Sequence, residues 1–106
     1  MDSIYCTVFV TVADEQQARA VADAVLGKRL AACVNIVPGV RSLYRWKGEI
    51  HDDAELLCIM KTRTEHFDAL AAAVRAAHSY EVPEIIALPI MIGNPPYLKW
   101  IDENVG

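Results

Sequence analysis

LAACVNIVPGVRSLYRWKGEI, residues 30–50, is the stretch on which the fold turns. It reads as an apolar strand, a Pro38-Gly39 turn, and a second strand too aromatic and too basic to serve only as core. Side chains alternate across a strand, so over residues 40–48 one face presents Arg41, Leu43, Arg45 and Lys47 and the other Val40, Ser42, Tyr44 and Trp46. Cations on one face and large aromatics on the other suit a strand that touches something: a second copy, a small ligand or a metal.

Working outward, residues 4–12 are rich in Ile, Val, Thr, Tyr and Phe and apolar on both alternating faces, the pattern of a central strand buried on two sides. Asp14 is the expected N-cap of a helix over 14–29, with Gln17 completing a capping-box pattern and Ala18, Val21, Ala22, Val25 and Leu26 forming its apolar stripe. Lys28 and Arg29 suit the negative end of that helix. Downstream, Gly48 breaks the chain and a third strand is expected over 54–62, the two strands making an extended hairpin around WKGEIHDD. Thr64 is the expected cap of a second helix, with Phe67, Leu70, Ala71 and Val74 buried, ending near Ala77.

Residues 78–84 form a connection, because Pro83 lacks an N–H and biases Val82 away from helix. Strand returns over 85–92, with Pro89 requiring an edge or a bulge. Gly93-Asn94-Pro95-Pro96 breaks it, and residues 97–101 begin a short C-terminal helix. The order strand, helix, strand, strand, helix, strand, with right-handed crossovers, predicts an α+β, ferredoxin-like βαββαβ antiparallel sheet with two helices on one face, an extended central hairpin and a short C-terminal helix. Residues 1–106 form one domain of a size that buries an adequate core. Two helices cover one face only, so the other is expected to meet a second copy.

Composition narrows the partners. Hydrophobic residues make up 54% of the chain, a surplus that must be buried, and the net charge of -4 argues against nucleic acid as a partner. Three widely spaced cysteines, Cys6, Cys33 and Cys58, without a CxxC pair, fit reduced thiols. Asp2 stands where a signal peptide would carry its basic region, and no apolar run reaches the roughly 18 residues of a spanning helix. A cytoplasmic protein without membrane insertion is expected.

Three blocks, ACVNIVPGVRSLYRWKGEI (32–50), HSYEVPEIIALPI (78–90) and YLKWIDE (97–103), closely resemble the CutA divalent-cation tolerance family. The resemblance implies a homotrimer with a ferredoxin-like fold, PII-like in architecture, the long hairpin contacting a neighbouring subunit. It also implies an association with tolerance of copper and other divalent metals.

Cys33 lies in the ACVNI block, which resembles the family's cysteine position, and a thiolate there suits copper or another soft metal, so Cu(2+) or another divalent metal is the expected ion; its plainer reading is a small buried hydrophobe. His78, opening the HSYEVPE loop, offers an imidazole, and the resemblance places metal contacts of some relatives near it; its plainer reading is a helix-end or hydrogen-bonded loop residue. Cys33 and His78 are therefore the metal candidates. His51, Asp52 and Asp53 are a weaker group at the hairpin tip.

Tyr44, Trp46, Lys61, Tyr80, Glu84 and Trp100 are the candidates for an inter-subunit cleft, packed as an interface or converging on a small ligand. No GxSxG elbow, HExxH motif, Walker loop or dinucleotide fingerprint is present, so neither an enzyme nor an organic cofactor is expected. Two functional readings follow: a trimeric copper-binding protein of metal tolerance, and a PII-like sensor whose cleft binds a small anion or metabolite.

Overall fold

A computed structural model describes residues 4–106. Its elements run β1 (Tyr5–Val12), α1 (Glu15–Gly27), β2 (Cys33–Trp46), β3 (Glu49–Arg63), a 3-10 turn (Thr64–His66), α2 (Phe67–Ala77), β4 (Ile85–Pro89) and α3 (Pro95–Asn104). One antiparallel sheet has the order β2-β3-β1-β4, as the βαββαβ reading requires.

The core lies between the sheet and the α1–α2 layer. On β1 the alternating residues Cys6, Val8, Val10 and Val12 are buried, and register carries the same face across Met60 and Cys58 of β3. Ala18, Val21 and Val25 of α1 and Leu70 and Val74 of α2 close over it, at the helical spacing read from the sequence. The opposite face carries Thr7 and Phe9 of β1, Leu57 and Ile59 of β3, and Ile86 and Leu88 of β4, the last two about half exposed.

Several boundaries differ from expectation, each for a physical reason. Pro38-Gly39 is not a turn between two strands; β2 runs through it with a bulge, so that Val37 faces Leu57 while Val40 faces Glu55. Three steps on β2 match two on β3, and Gly39 supplies the left-handed backbone (φ 82°) that an extra residue of this kind needs. Pro38 is tolerated because β2 is an edge strand. The bulge also shifts the alternation: Cys33, Asn35 and Val37 face the uncovered side before it, and Val40, Ser42, Tyr44 and Trp46 after it.

β3 begins at Glu49 rather than near Ala54, because Trp46 pairs with Glu49 across a two-residue turn of Lys47 (φ 50°) and Gly48 (φ 81°). Positive φ at both positions gives the primed turn that matches strand twist. Asp14 caps α1, its carboxylate accepting from Gln17 N–H at 2.8 Å. Gln17 does not complete a capping box, since its amide bridges α2 instead, donating to the Ala77 carbonyl (2.6 Å) and accepting from Ser79 N–H (2.8 Å). Thr64 opens a 3-10 turn without a side-chain cap, and α2 starts only at Phe67.

β4 ends at Pro89, leaving Met91 and Ile92 outside the sheet and almost fully exposed. α3 is longer than expected at both ends, with Pro95 in its first turn where a missing N–H costs nothing. It lies over one end of the second face: Asp102 meets Tyr5 and Arg63, and Tyr97 meets Cys33. Arg29 ties the chain end down by donating to the carbonyls of Glu103 and Gly106.

Candidate functional site

The metal candidates fall in separate places. Cys33 pairs in register with Lys61, which pairs with Thr7, whereas His78 bonds to the carbonyl of Thr11. Four residues along β1 and two strands across separate these points, roughly 16 Å within one chain. One ion cannot touch both in the same subunit.

His78 is 9% exposed and both ring nitrogens are engaged. Nδ1 accepts from Tyr80 N–H at 3.1 Å, so the proton resides on Nε2, which donates to the Thr11 carbonyl at 2.8 Å. In this arrangement His78 pins the α2–β4 connection to β1.

Cys33 is half-buried, beside Asn35 Oδ1 (3.7 Å) and the Tyr97 hydroxyl (3.9 Å). Lys61 donates to the same Asn35, and Tyr97 stacks on Trp100 with centroids 5.6 Å apart. Cys6 and Cys58 are buried, and burial pushes both thiols up, away from the thiolate a metal needs. Of the three thiols, Cys33 is the one that is not buried. His51, Asp52 and Asp53 do not converge either: alternation sends Asp52 to the opposite side, where it holds Arg41, while His51 stacks on Tyr44.

The expected cleft divides in two. Tyr44, Trp46, Tyr80 and Glu84 do come together, with Thr11, Arg41 and Glu55, around a groove of about 620 Å³ between the hairpin and the 78–84 connection. Lys61 and Trp100 lie instead with Cys33 and Tyr97 at the other end of the sheet. A cleft made of all six would need two subunits, each giving one group.

Local rules build the groove. The bulge turns Tyr44 and Trp46 toward it, and the His78 pin and Gln17 bridge hold its opposite wall. Tyr80 lies against the His78 ring (centroids 4.6 Å apart) and donates its hydroxyl to Glu55 Oε2 at 2.7 Å. Burial and that bond push the Tyr80 phenol above its ordinary range, so it remains a donor. Tyr44 donates to Asp53, which raises its phenol in the same direction.

Glu55 and Thr11 were not singled out from sequence. Glu55 left one signal: it is the carboxylate that shares an alternating face with Leu57 and Ile59. A charge in such a row is either at the sheet's end or held by a partner. Here it is both.

The family described as CutA1 divalent ion tolerance protein matches residues 6–104. The chain belongs to the CutA1 family. It is 54% identical over 99 residues to the divalent-cation tolerance protein CutA of Thermus thermophilus, covering 93% of this chain and 96% of that protein. It is 50% identical over 95 residues to Protein CutA of Mus musculus, covering 90% of this chain and 54% of the mouse protein, so it spans about half of that longer relative.

The solved structure of the CutA1 divalent cation tolerance protein from Thermus thermophilus superposes with a TM-score of 0.94 at 52% identity, over 97% of this chain and all of that one. CutA1 from Oryza sativa gives the same TM-score at 45% identity, over 98% of this chain and 95% of that one. The four-stranded antiparallel sheet with three helices is thus the CutA1 fold. Among the described residues no helix is long and apolar enough to cross a membrane.

Proposed function

We propose that this CutA1-family chain acts in divalent-cation tolerance as a homotrimer that binds copper, or another soft divalent ion, transiently through Cys33. The observation that carries the metal reading is the environment of Cys33. It is the accessible thiol of three, placed beside a lysine and a phenol rather than in the apolar core. A thiolate is the donor that soft metals prefer. Among the described residues no three His, Cys, Asp or Glu side chains of one chain converge as a metal site, so Cys33 serves as an entry ligand whose further donors come from solvent or a second copy.

The trimer reading rests on the uncovered sheet face. Ile86 and Leu88 are half exposed on β4, with Phe9, Leu57 and Ile59 beside them, a row of apolar side chains that no helix of the chain covers. Closed symmetry with the hairpin reaching a neighbour buries it. Three free thiols support a reducing, cytoplasmic compartment.

The competing anion-sensor reading loses support from the groove, where Glu55, Glu81 and Glu84 face inward and Lys61 is elsewhere. Calorimetric titration with Cu(II) and with reduced Cu(I) tests the metal role. Saturable binding that disappears in Cys33→Ser and survives in His78→Asn is expected. Binding unchanged by Cys33→Ser, or no binding at all, would sink it.

A further inference from the structure

Three of the four tyrosine hydroxyls donate to carboxylates: Tyr5 to Asp102, Tyr44 to Asp53 and Tyr80 to Glu55. The fourth, that of Tyr97, faces a sulfur instead. Cys33 Sγ lies 3.9 Å from it, and among the described residues this hydroxyl has no other hydrogen-bond partner.

The chain's own α3 holds the hydroxyl there. Pro95 starts the helix, Tyr97 N–H bonds to the Asn94 carbonyl at 2.9 Å, and Leu98 packs so closely on Gly93 that a Cβ there would stand 2.9 Å from its Cδ2. Ile101 is fully buried one turn beyond Tyr97 on the same side of the helix, so burying it turns the phenol toward the sheet. The Tyr97 ring stacks on Trp100, which restrains it from swinging outward. Asp102 and the Arg29 clamp fix the far end of α3.

What Cys33 asks of its neighbours depends on its proton. As a thiol it donates to Asn35 Oδ1 at 3.7 Å. As a ligand it has lost that proton, and its sulfur is an acceptor only. Asn35 Oδ1 cannot then serve it, being an acceptor already held by Lys61. Tyr97 can, because a phenol keeps its proton near neutral pH.

We propose that Tyr97 is a positioning residue of the Cys33 site, its hydroxyl donating to the ligating sulfur without touching the ion. The proposal rests on the metal reading of Cys33 and adds the group that orients the sulfur and tempers its donor strength. A hydrogen bond to a ligating sulfur draws electron density from it, and contacts of this outer kind tune both the affinity and the electronic character of a metal site.

The test titrates the full chain with Cd(II), a soft ion that does not oxidise thiols, and reads the sulfur-to-metal charge-transfer band. The native chain should give a band that Cys33→Ser abolishes. Tyr97→Phe keeps the ring and its stack on Trp100 and removes only the hydroxyl. Its band should move to longer wavelength at unchanged stoichiometry, and its affinity should fall about tenfold, the lower end for loss of an outer contact. Tyr44→Phe, which removes a hydroxyl at the other end of the sheet, should leave the band in place.

A Cys33-dependent band at one wavelength in both the native chain and Tyr97→Phe overturns the positioning role and leaves the metal reading standing, even if affinity falls. An equal shift in Tyr44→Phe overturns it as well. So does the absence of any Cys33-dependent band in the native chain, and the copper titration then decides whether the metal reading falls with it.

Discussion

The Tyr80 hydroxyl donates to Glu55 Oε2 at 2.7 Å, joining the α2–β4 connection to the middle of β3 across the groove. Removing it in Tyr80→Phe leaves a nearly buried carboxylate without its donor. The expected destabilisation is about 1.5 to 2 kcal/mol, at the lower end for a bond to a charged group because groove water replaces part of it. Denaturant unfolding with an unchanged m-value checks it.

Asp102 anchors α3 to the sheet, accepting from the Tyr5 hydroxyl and from Arg63. Both bonds favour the ionised form and hold its carboxyl below the usual range, the Tyr5 bond first. A lowered folded-state pKa means stability that is complete above the unfolded value, near 3.9, and lost as pH falls through the folded one. The melting temperature of the native chain should therefore drop on acidification below about pH 4 more steeply than that of Asp102→Asn. Parallel acid limbs for the two proteins would remove this role.

Leu70 is fully buried where α2 meets the core. Leu70→Ala deletes three carbon atoms from a site enclosed by sheet and helix, and the expected loss is about 2 to 4 kcal/mol. The outward-facing Ala72→Ser, two positions along the same helix, should change stability by less than about 0.5 kcal/mol. Chemical denaturation of both variants separates core packing from general sensitivity of the helix.

Gly48 has φ 81° at the hairpin tip, with open space where a Cβ would stand. In Gly48→Ala the added Cβ meets no neighbour, so the cost comes from the left-handed backbone, about 1 to 2 kcal/mol. Hydrogen exchange should show that loss confined to the outer rungs from Tyr44 to His51, not the core strands.

How much of this was legible follows from where each signal is stored. Ala18, Val21 and Val25 recur at helical spacing, and the 4–12 run carries its apolar residues on both faces, so element types and their order were readable from local pattern. The bulge at Pro38-Gly39 was read as a turn, because the dipeptide reports a backbone irregularity without saying whether pairing resumes on the same neighbour. The polar HDD run was read as a tip, yet cross-strand pairing with Tyr44, Leu43 and Ser42 holds it as strand.

Site residues were harder. His78 was visible as an imidazole at a helix end, but its pairing with Thr11, 67 positions away, is a tertiary fact that no local pattern stores. Lys61 was grouped with Tyr44 by residue type, whereas register places it opposite Cys33. Alternation on β3 put Glu55 and Lys61 on one face correctly; it could not say that six residues of separation place them at different ends of the sheet.

The uncovered sheet face is the feature on which the rest depends, since it exposes Ile86 and Leu88, frames Cys33 and carries the groove. Sedimentation equilibrium of the full chain at micromolar concentration addresses it directly. A single species of three times 11.7 kDa is expected, shifting toward smaller species when Ile86→Glu and Leu88→Glu place charges on that face. A native chain that remains at 11.7 kDa across the concentration range would contradict it.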